Sequence, residues 1–362
     1  MAETRTGHPY HAYEAILAQP GLIDLVLAQR EAIERAAQAV AQKERVIFVG
    51  IGTSLNAARV AESWLREFSG GWVWAHAEQS FEFVHHPIAL SASDAVIVIT
   101  HTGTTTASVE ALRMAGAAGA LTVAITGKMS GDGVRGADFQ IDTCEQELAF
   151  AYTKSYTTAL AALAIIAMRI AEKKTGIVQT ERLVELSRVP QLVREALKLE
   201  SQVREWAARI AALSRIEIFG SGAAWATASE AALKIKEACY IAAEGFETEE
   251  ILHGPFSETD SRSSLVGLLV GDATDERGRQ ILRAAGDLKM QRAAITVPSA
   301  NHALDAENIV MVPECAAWLS AFVHLVPLQL LMYHVALERG TSPDSGRMEQ
   351  AEHAAASKHY KY

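Results

Sequence analysis

The chain repeats itself. Arg45-Val-Ile-Phe-Val-Gly50-Ile-Gly52 returns as Arg215-Ile-Glu-Ile-Phe-Gly220-Ser-Gly222, an offset of 170 positions. Leu112-Arg113-Met-Ala115-Gly116 returns at the same offset as Leu282-Arg283-Ala-Ala285-Gly286, and Val123-Ala-Ile125-Thr126 as Ala293-Ala-Ile295-Thr296. Matches at one unbroken offset mean a duplicated domain with the same elements in the same order. Each copy opens with a short β-rich run, Val46–Val49 or Ile216–Phe219, then a glycine turn and an Ala-rich helical stretch. A second apolar run follows, Ala95–Ile99 or Leu265–Val270, then a helix carrying Leu-Arg-x-Ala-Gly, then a third strand, Leu121–Thr126 or Ala293–Val297. Strands alternating with helices predict parallel sheets covered on both faces. The expected fold is therefore α/β, with two tandem three-layer αβα domains related by internal duplication.

The chain is expected to divide into N-terminal helices (1–40), a first domain (41–175), a helical connector (176–210), a second domain (211–340) and a tail (341–362). A length of 362 residues suits about two domains. The hydrophobic fraction of 49% fits a globular chain, and a net charge of −10 argues against broad nucleic-acid binding. Cys144, Cys239 and Cys315 lack metal-site spacing and suggest a reducing compartment. No apolar stretch marks a signal peptide near the N-terminus, so a cytoplasmic protein is expected. Ala317–Leu337 is apolar but carries His324, Pro327, Gln329 and His334, which predicts a buried helix rather than a membrane span.

The two copies differ most in one loop. The first has Thr100-His-Thr102-Gly103-Thr104-Thr105-Thr106, neutral and rich in hydroxyls; the second has Gly271-Asp-Ala-Thr274-Asp-Glu-Arg-Gly278, which is acidic. The first loop follows a strand and precedes a helix, so hydroxyls and unpaired N–H groups converge where the helix dipole favours an anion. The competing reading is that the threonines only cap the helix. Gly50-Ile-Gly52-Thr53-Ser54 also links a strand to a helix. It lacks the third glycine and the later acidic residue of a dinucleotide fingerprint, which argues against NAD.

Ionisable residues are densest in Glu230-Ala-Ala-Leu-Lys234-Ile-Lys236-Glu237 and in Glu249-Glu250-Ile-Leu-His253-Gly254-Pro255. Glu230, Lys234 and Glu237 share one helix face. Periodicity alone favours a solvated salt-bridge ladder. If the face were buried, the same residues would form an acid–base pair with shifted pKa values.

At these motifs the chain resembles the sugar isomerase (SIS) domain family in its double-domain, flavodoxin-like form, above all the isomerase half of glucosamine-6-phosphate synthase and its stand-alone deaminase and deglycase relatives. The resemblance runs from about Glu14 to Asp344, through Gly52-Thr53-Ser54, Thr100–Thr105, Tyr152-Thr153-Lys154, Glu230–Glu237, Glu250–Pro255 and Val326–Leu330. It implies that Ser54, Thr100, His101, Thr102 and Thr105 bind a substrate phosphate. It implies that Glu237 moves a proton between C1 and C2 of the sugar, with Lys234 beside it, and that His253 assists ring opening from a neighbouring subunit. Gly52, Thr53, Tyr152, Lys154, Glu250 and Lys358 would line the sugar pocket more loosely.

Two departures qualify the likeness. No cysteine precedes Cys144, so the glutamine-hydrolysing nucleophile of the synthases is missing and ammonia is not expected to come from glutamine. The tail lysine of the family falls at Ala351, leaving Lys358 or Lys361 as substitutes, and Tyr152 stands where serine is usual. The resemblance thus implies an enzyme on an amino sugar 6-phosphate such as glucosamine-6-phosphate, isomerising it and releasing ammonia. It needs no metal or organic cofactor, no nucleic acid and no membrane, and works as a homodimer with a shared site. Alternatives are a deglycase of a fructosyl-amino acid 6-phosphate, plain aldose–ketose isomerisation, and a non-catalytic sugar-phosphate sensor. No DNA-binding helix pair precedes the first copy, which weakens a repressor reading.

Overall fold

The computed structural model describes residues 5–301 and 304–360. They form two compact units. The first-repeat unit takes residues 21–147, 154–188 and 355–360; the second-repeat unit takes 5–20, 148–153 and 189–354. Two helices run from one unit into the other along the chain, α1 (His11–Ala28) and α7 (Thr180–Leu197). Each carries an internal proline next to the changeover, Pro20 and Pro190.

In the first-repeat unit the elements run α2 (Arg30–Val40), β1 (Arg45–Gly50), α3 (Thr53–Phe68), β2 (Trp74–Gln79), α4 (Ser80–His85), β3 (Asp94–Ile99), α5 (Thr106–Ala117), β4 (Leu121–Thr126), β5 (Phe139–Asp142) and α6 (Lys154–Thr175). All strand pairings are parallel, in the order β2-β1-β3-β4-β5. The central strands are runs of β-branched and aromatic residues buried on both faces, as parallel strands under two helical layers must be. One face packs Ile47, Val49, Val96 and Val98 against Phe83 of α4 and Ala111, Leu112 and Ala115 of α5. Helices α2, α3 and α6 cover the other face. Arg45 and Asp94 lie opposite each other at the start of β1 and β3. The guanidinium donates to both carboxylate oxygens at 2.6 and 2.7 Å, which neutralises a fully buried Asp94.

The second-repeat unit contains α8 (Glu200–Ile210), β6 (Arg215–Gly220), α9 (Ala223–Cys239), β7 (Ala242–Glu247), β8 (Ser263–Leu269), α10 (Asp275–Asp287), β9 (Gln291–Thr296), β10 (Asn308–Met311), α11 (Ser320–Val323), α12 (Leu325–Arg339) and α13 (Ala351–Ala356), the last at its border with the other unit. Its parallel sheet has the order β10-β9-β8-β6-β7, the same topology as the first. Phe219, Leu265, Leu269, Ile281, Leu282 and Ala285 form the core under α10, while α9, α12 and α8 pack together on the α9 side.

Each sheet therefore has five strands, two more than the three that sequence periodicity predicts. The extra strands lie at sheet edges. β2 and β7 are mostly half-exposed and polar, and β5 and β10 span four residues each. Their pairing is decided by a neighbouring strand rather than by an apolar run of their own. The long apolar stretches are core helices: α6 and the segment Ala317–Arg339 have the length and hydropathy of membrane spans, but 89% and 100% of their most apolar 18-residue stretches are buried. The second of these breaks at His324, between α11 and α12. Three of its polar side chains find internal partners. His324 Nε2 meets the Leu269 carbonyl at 3.2 Å, Gln329 accepts from Gln19 at 2.7 Å, and His334 meets Glu200 at 3.1 Å.

Candidate active site

In the order β2-β1-β3-β4-β5 the chain reverses direction between β1 and β3, and ligands of open α/β sheets bind beyond the carboxyl ends of strands at such a point. Both phosphate-loop candidates lie there. Gly52-Thr53-Ser54 links β1 to α3, and Thr100–Thr105 links β3 to α5. A side chain at position 50 would put its Cβ 2.5 Å from the Ser54 carbonyl carbon, so Gly50 is what lets α3 start directly on the strand end. Gly52 and Thr105 precede their helices and neither makes a side-chain cap. The Thr105 hydroxyl is not spent on its own helix, which removes the capping explanation for it. Thr100 is buried, and its Oγ1 has no protein hydrogen-bond partner. Thr102 is tied within the loop: its Oγ1 accepts from Thr104 Oγ1 at 2.9 Å and its carbonyl from Gly131 N at 2.8 Å.

His101 has a different position from the other loop residues. Its Nε2 accepts from the Glu147 amide at 3.0 Å, and Gln146 Nε2 donates to its carbonyl. A Cβ at Gly127 would lie 2.5 Å from the imidazole, so Gly127 makes room for the ring. Burial, with the Lys154 charge adding, pushes the imidazole pKa down to about 4, so the ring is neutral at physiological pH. Glu147 in turn accepts from the Ser155 amide at 2.9 Å, at the start of α6. The ring is therefore engaged with the 146–147 segment and adds no positive charge to the loop.

On α9 the solvated-ladder reading fails. Glu230 and Lys234 are 1% and 2% exposed, because α9 packs on β6 and β7 on one side and on α12 on another. Lys234 Nζ sits between two carboxylates, 2.5 Å from Glu237 Oε2 and 3.7 Å from Glu230 Oε1. The small residues Ala231, Ala232 and Ala238 let the helix approach its neighbours closely enough to bury that face. Of the three side chains only Glu237 keeps substantial access, at 21%. A buried ammonium thus holds one end of a carboxylate whose other end reaches solvent.

His253 ends the 3-10 turn Glu250–Leu252 and is exposed. Its Nε2 lies 3.5 Å from Glu249 Oε1. Glu250 is exposed beside it, and the Glu247 carboxylate accepts the amides of Glu249 and Glu250.

A family model, the SIS domain, matches residues 39–169 and 210–339. The chain belongs to the SIS domain family. It carries two SIS copies, homologous to the isomerase half of glutamine–fructose-6-phosphate aminotransferase. That enzyme from Thermococcus kodakarensis is 33% identical over 356 residues, a match covering 96% of this chain and 58% of the relative. The chain thus spans under two thirds of the length of that curated relative. In fold it is similar to the C-terminal domain of glucosamine-fructose-6-phosphate aminotransferase from Francisella tularensis, with a TM-score of 0.87 at 24% identity, covering 94% of this chain and all of that one. It is also similar to glucosamine-6-phosphate deaminase from Thermotoga maritima, with a TM-score of 0.71 at 20% identity, covering 93% and 97%.

The two SIS copies treat the same loop differently. In the second copy Asp275 caps it from within, accepting from Val270 N at 3.0 Å and Gly271 N at 2.9 Å. Those amides correspond to Thr100 and His101 of the first copy. Asp275 is 3% exposed and burial raises its pKa above the usual carboxylate value. A carboxylate built into the chain occupies the loop that the first copy leaves to hydroxyls.

Of the remaining candidates, the first SIS copy's unit holds Lys154, half-buried at the start of α6, and Lys358, exposed in the 3-10 turn Ser357–His359. Lys361 lies outside the described residues. Tyr152 is half-buried in the segment 148–153, which belongs to the second unit. There Ala151 donates to the Pro343 carbonyl at 3.1 Å. Among the described residues no group of three or more His, Cys, Asp or Glu side chains is arranged for a metal. Sequence reasoning missed Asp275, Glu147 and Glu249 as organising residues, since each acts through main-chain amides or a partner remote in sequence.

Proposed function

We propose that this SIS protein is an isomerising deaminase of an amino sugar 6-phosphate, with glucosamine-6-phosphate as the first substrate to test. The observation that carries the reading is the Glu230–Lys234–Glu237 arrangement, in which a buried lysine anchors one partly accessible carboxylate. A phosphate-binding loop alone would serve a sensor; an anchored base serves proton transfer. The deaminase from Thermotoga maritima shares the fold and supports the substrate class.

In the proposed reaction the phosphate binds at Ser54 and at Thr100–Thr105, where hydroxyls and helix N-termini supply donors. His253, brought in from a partner subunit of a homodimer, shuttles a proton between O1 and O5 and opens the ring. Glu237 takes the proton from C2, the electron pair moves into a C1–C2 enolamine, and O1 takes a proton from solvent that nitrogen returns when the C2 imine forms. The same carboxyl returns the proton to C1. C1 is reduced and C2 oxidised, so no external redox partner is needed. The resulting C2 imine adds water and expels ammonia, leaving a ketose 6-phosphate. Lys234 holds the Glu237 carboxylate in place.

The test is a parallel assay of glucosamine-6-phosphate, galactosamine-6-phosphate and a fructosyl-amino acid 6-phosphate. Ammonia, free amino acid and ketose phosphate are measured together. Ammonia released in step with ketose 6-phosphate is the expected result, and Glu237→Gln should lower it by about 10²–10⁴-fold while sugar-phosphate binding persists. Free amino acid from the third substrate alone would make the enzyme a deglycase. Tight binding with no product from any of them would make it a sensor.

A further inference from the structure

Around His253 the structure holds a clamp that begins on α10. Arg277, in the first turn of that helix, donates to Glu249 through two nitrogens: Nε reaches Oε2 at 2.7 Å and Nη2 reaches Oε1 at 2.7 Å. Arg277 Nη1 also donates to Gln280 Oε1 at 2.8 Å, which braces the guanidinium against its own helix. A bidentate pair fixes the plane of both groups, unlike a single contact to a lysine. The Glu249 main chain is held as well, since its amide donates to Glu247 Oε2 at 2.7 Å. The carboxylate oxygen that takes Arg277 Nη2 is the one facing His253 Nε2, at 3.5 Å. His253 itself sits on a short turn with 66% of its side chain exposed. Its surroundings there supply little packing to choose a rotamer.

We infer that Glu249, locked by Arg277, is the positioning residue that turns His253 Nε2 inward and presents Nδ1 to the sugar ring oxygen. The inference rests on the ring-opening role given to His253 above. A carboxylate beside one imidazole nitrogen settles which nitrogen carries the proton and stabilises the imidazolium that forms when the other takes one. A proton shuttle between O1 and O5 needs that order. The Arg277 charge beside Glu249 holds its carboxyl below the usual range, so the orienting group stays ionised while His253 cycles.

Ring opening can be observed apart from deamination. In a Glu237→Gln background the C2 proton stays in place, yet the α and β anomers of glucosamine-6-phosphate should still interconvert on the enzyme, as NMR magnetisation exchange would record. Adding Glu249→Gln or Arg277→Gln should slow that exchange about tenfold or more. The dissociation constant for the sugar phosphate should not change. Arg277→Lys should recover part of the rate, and the Glu249→Gln/Arg277→Gln pair should be no worse than either alone. Exchange at the parent rate in Glu249→Gln overturns the inference, and so does a loss of exchange matched by an equal loss of binding, which would make the clamp a structural brace. His253→Ala separates the two levels of the argument. If it leaves exchange intact, the ring-opening reading itself has failed. If it abolishes exchange while Glu249→Gln does not, His253 acts without the clamp.

Discussion

The carboxylate of Asp275 accepts the amide of Gly271 at 2.9 Å, and that amide is the counterpart, one repeat later, of the His101 amide in the Thr100–Thr105 loop. The duplicated chain thus fills one loop with its own carboxylate, while in the other the buried Thr100 hydroxyl has no protein partner. Asp275→Ala should destabilise the protein by about 1–3 kcal/mol, because two amides at a buried loop lose their acceptor. Chemical denaturation with and without added phosphate would measure it. Recovery of stability by millimolar phosphate is expected if the emptied loop accepts an anion as its twin is proposed to.

The first copy should show the converse. Thr100→Val and Thr105→Val each remove a hydroxyl donor that the protein leaves unspent, so each should weaken a phosphorylated ligand by about 1.5–3 kcal/mol. The unphosphorylated sugar should be unaffected in calorimetric titrations. Equal weakening of both ligands would make the loop structural.

Lys234→Met would remove the ammonium that lies between the buried Glu230 carboxylate and Glu237. Breaking such a pair from one side typically costs about 3–5 kcal/mol. Turnover should also fall, since Glu237 loses both its charge partner and its anchor. Adding Glu230→Gln should return much of the stability, read from denaturant midpoints, and none of the activity.

Glu217 in β6 predicts a pH effect. It is fully buried, neither carboxylate oxygen has a hydrogen-bond donor, and Arg215 Nη1 stands 3.7 Å away. Burial raises its pKa to about 7. Arg215 lowers it, while Glu258 on the adjacent 3-10 turn and Glu244 opposite on β7 raise it. The folded state therefore holds this proton more tightly than the unfolded chain. The stabilisation is complete below the ordinary carboxyl pKa and is lost as pH rises toward 7, by about 3 kcal/mol at most. Glu217→Leu should flatten the stability profile between pH 4.5 and 7 and raise stability at pH 8. An unchanged profile would mean that Glu217 ionises in the folded protein as readily as in the unfolded chain.

Mixing inactive Glu237→Gln and His253→Ala subunits should restore activity if His253 works across a dimer. Random exchange would make about one site in four intact. Mixed samples confirmed by mass to hold heterodimers, yet showing only the summed residual rates of the parents, would place both residues in one chain.

The duplication, the alternation of strands and helices and the glycine turns were legible in the sequence, because they follow from local periodicity and backbone geometry. The central strands β1, β3 and β4 lie where their apolar patterns put them. The edge strands β2, β5, β7 and β10 did not announce themselves, since an edge strand needs only one neighbour and tolerates polar residues. The break at His324 was also invisible, because an apolar run does not record where its helix turns.

The site divides along the same line. Residue spacing placed Glu230, Lys234 and Glu237 on one helix face but read that face as wet. Only the packing of α9 against β6, β7 and α12 buries Lys234 between two carboxylates. His101 looked like one more loop donor until its ring was seen accepting the Glu147 amide. Asp275 and Glu249 act on amides or guanidinium groups brought to them by the fold, Glu249 on a residue 28 positions away. Sequence by itself determined which chemical groups are present and which local elements carry them, because those depend on neighbours in the chain. Tertiary structure decided which groups are dry, which are paired and which remain open to a substrate, because burial and pairing are set by contacts between segments distant in sequence.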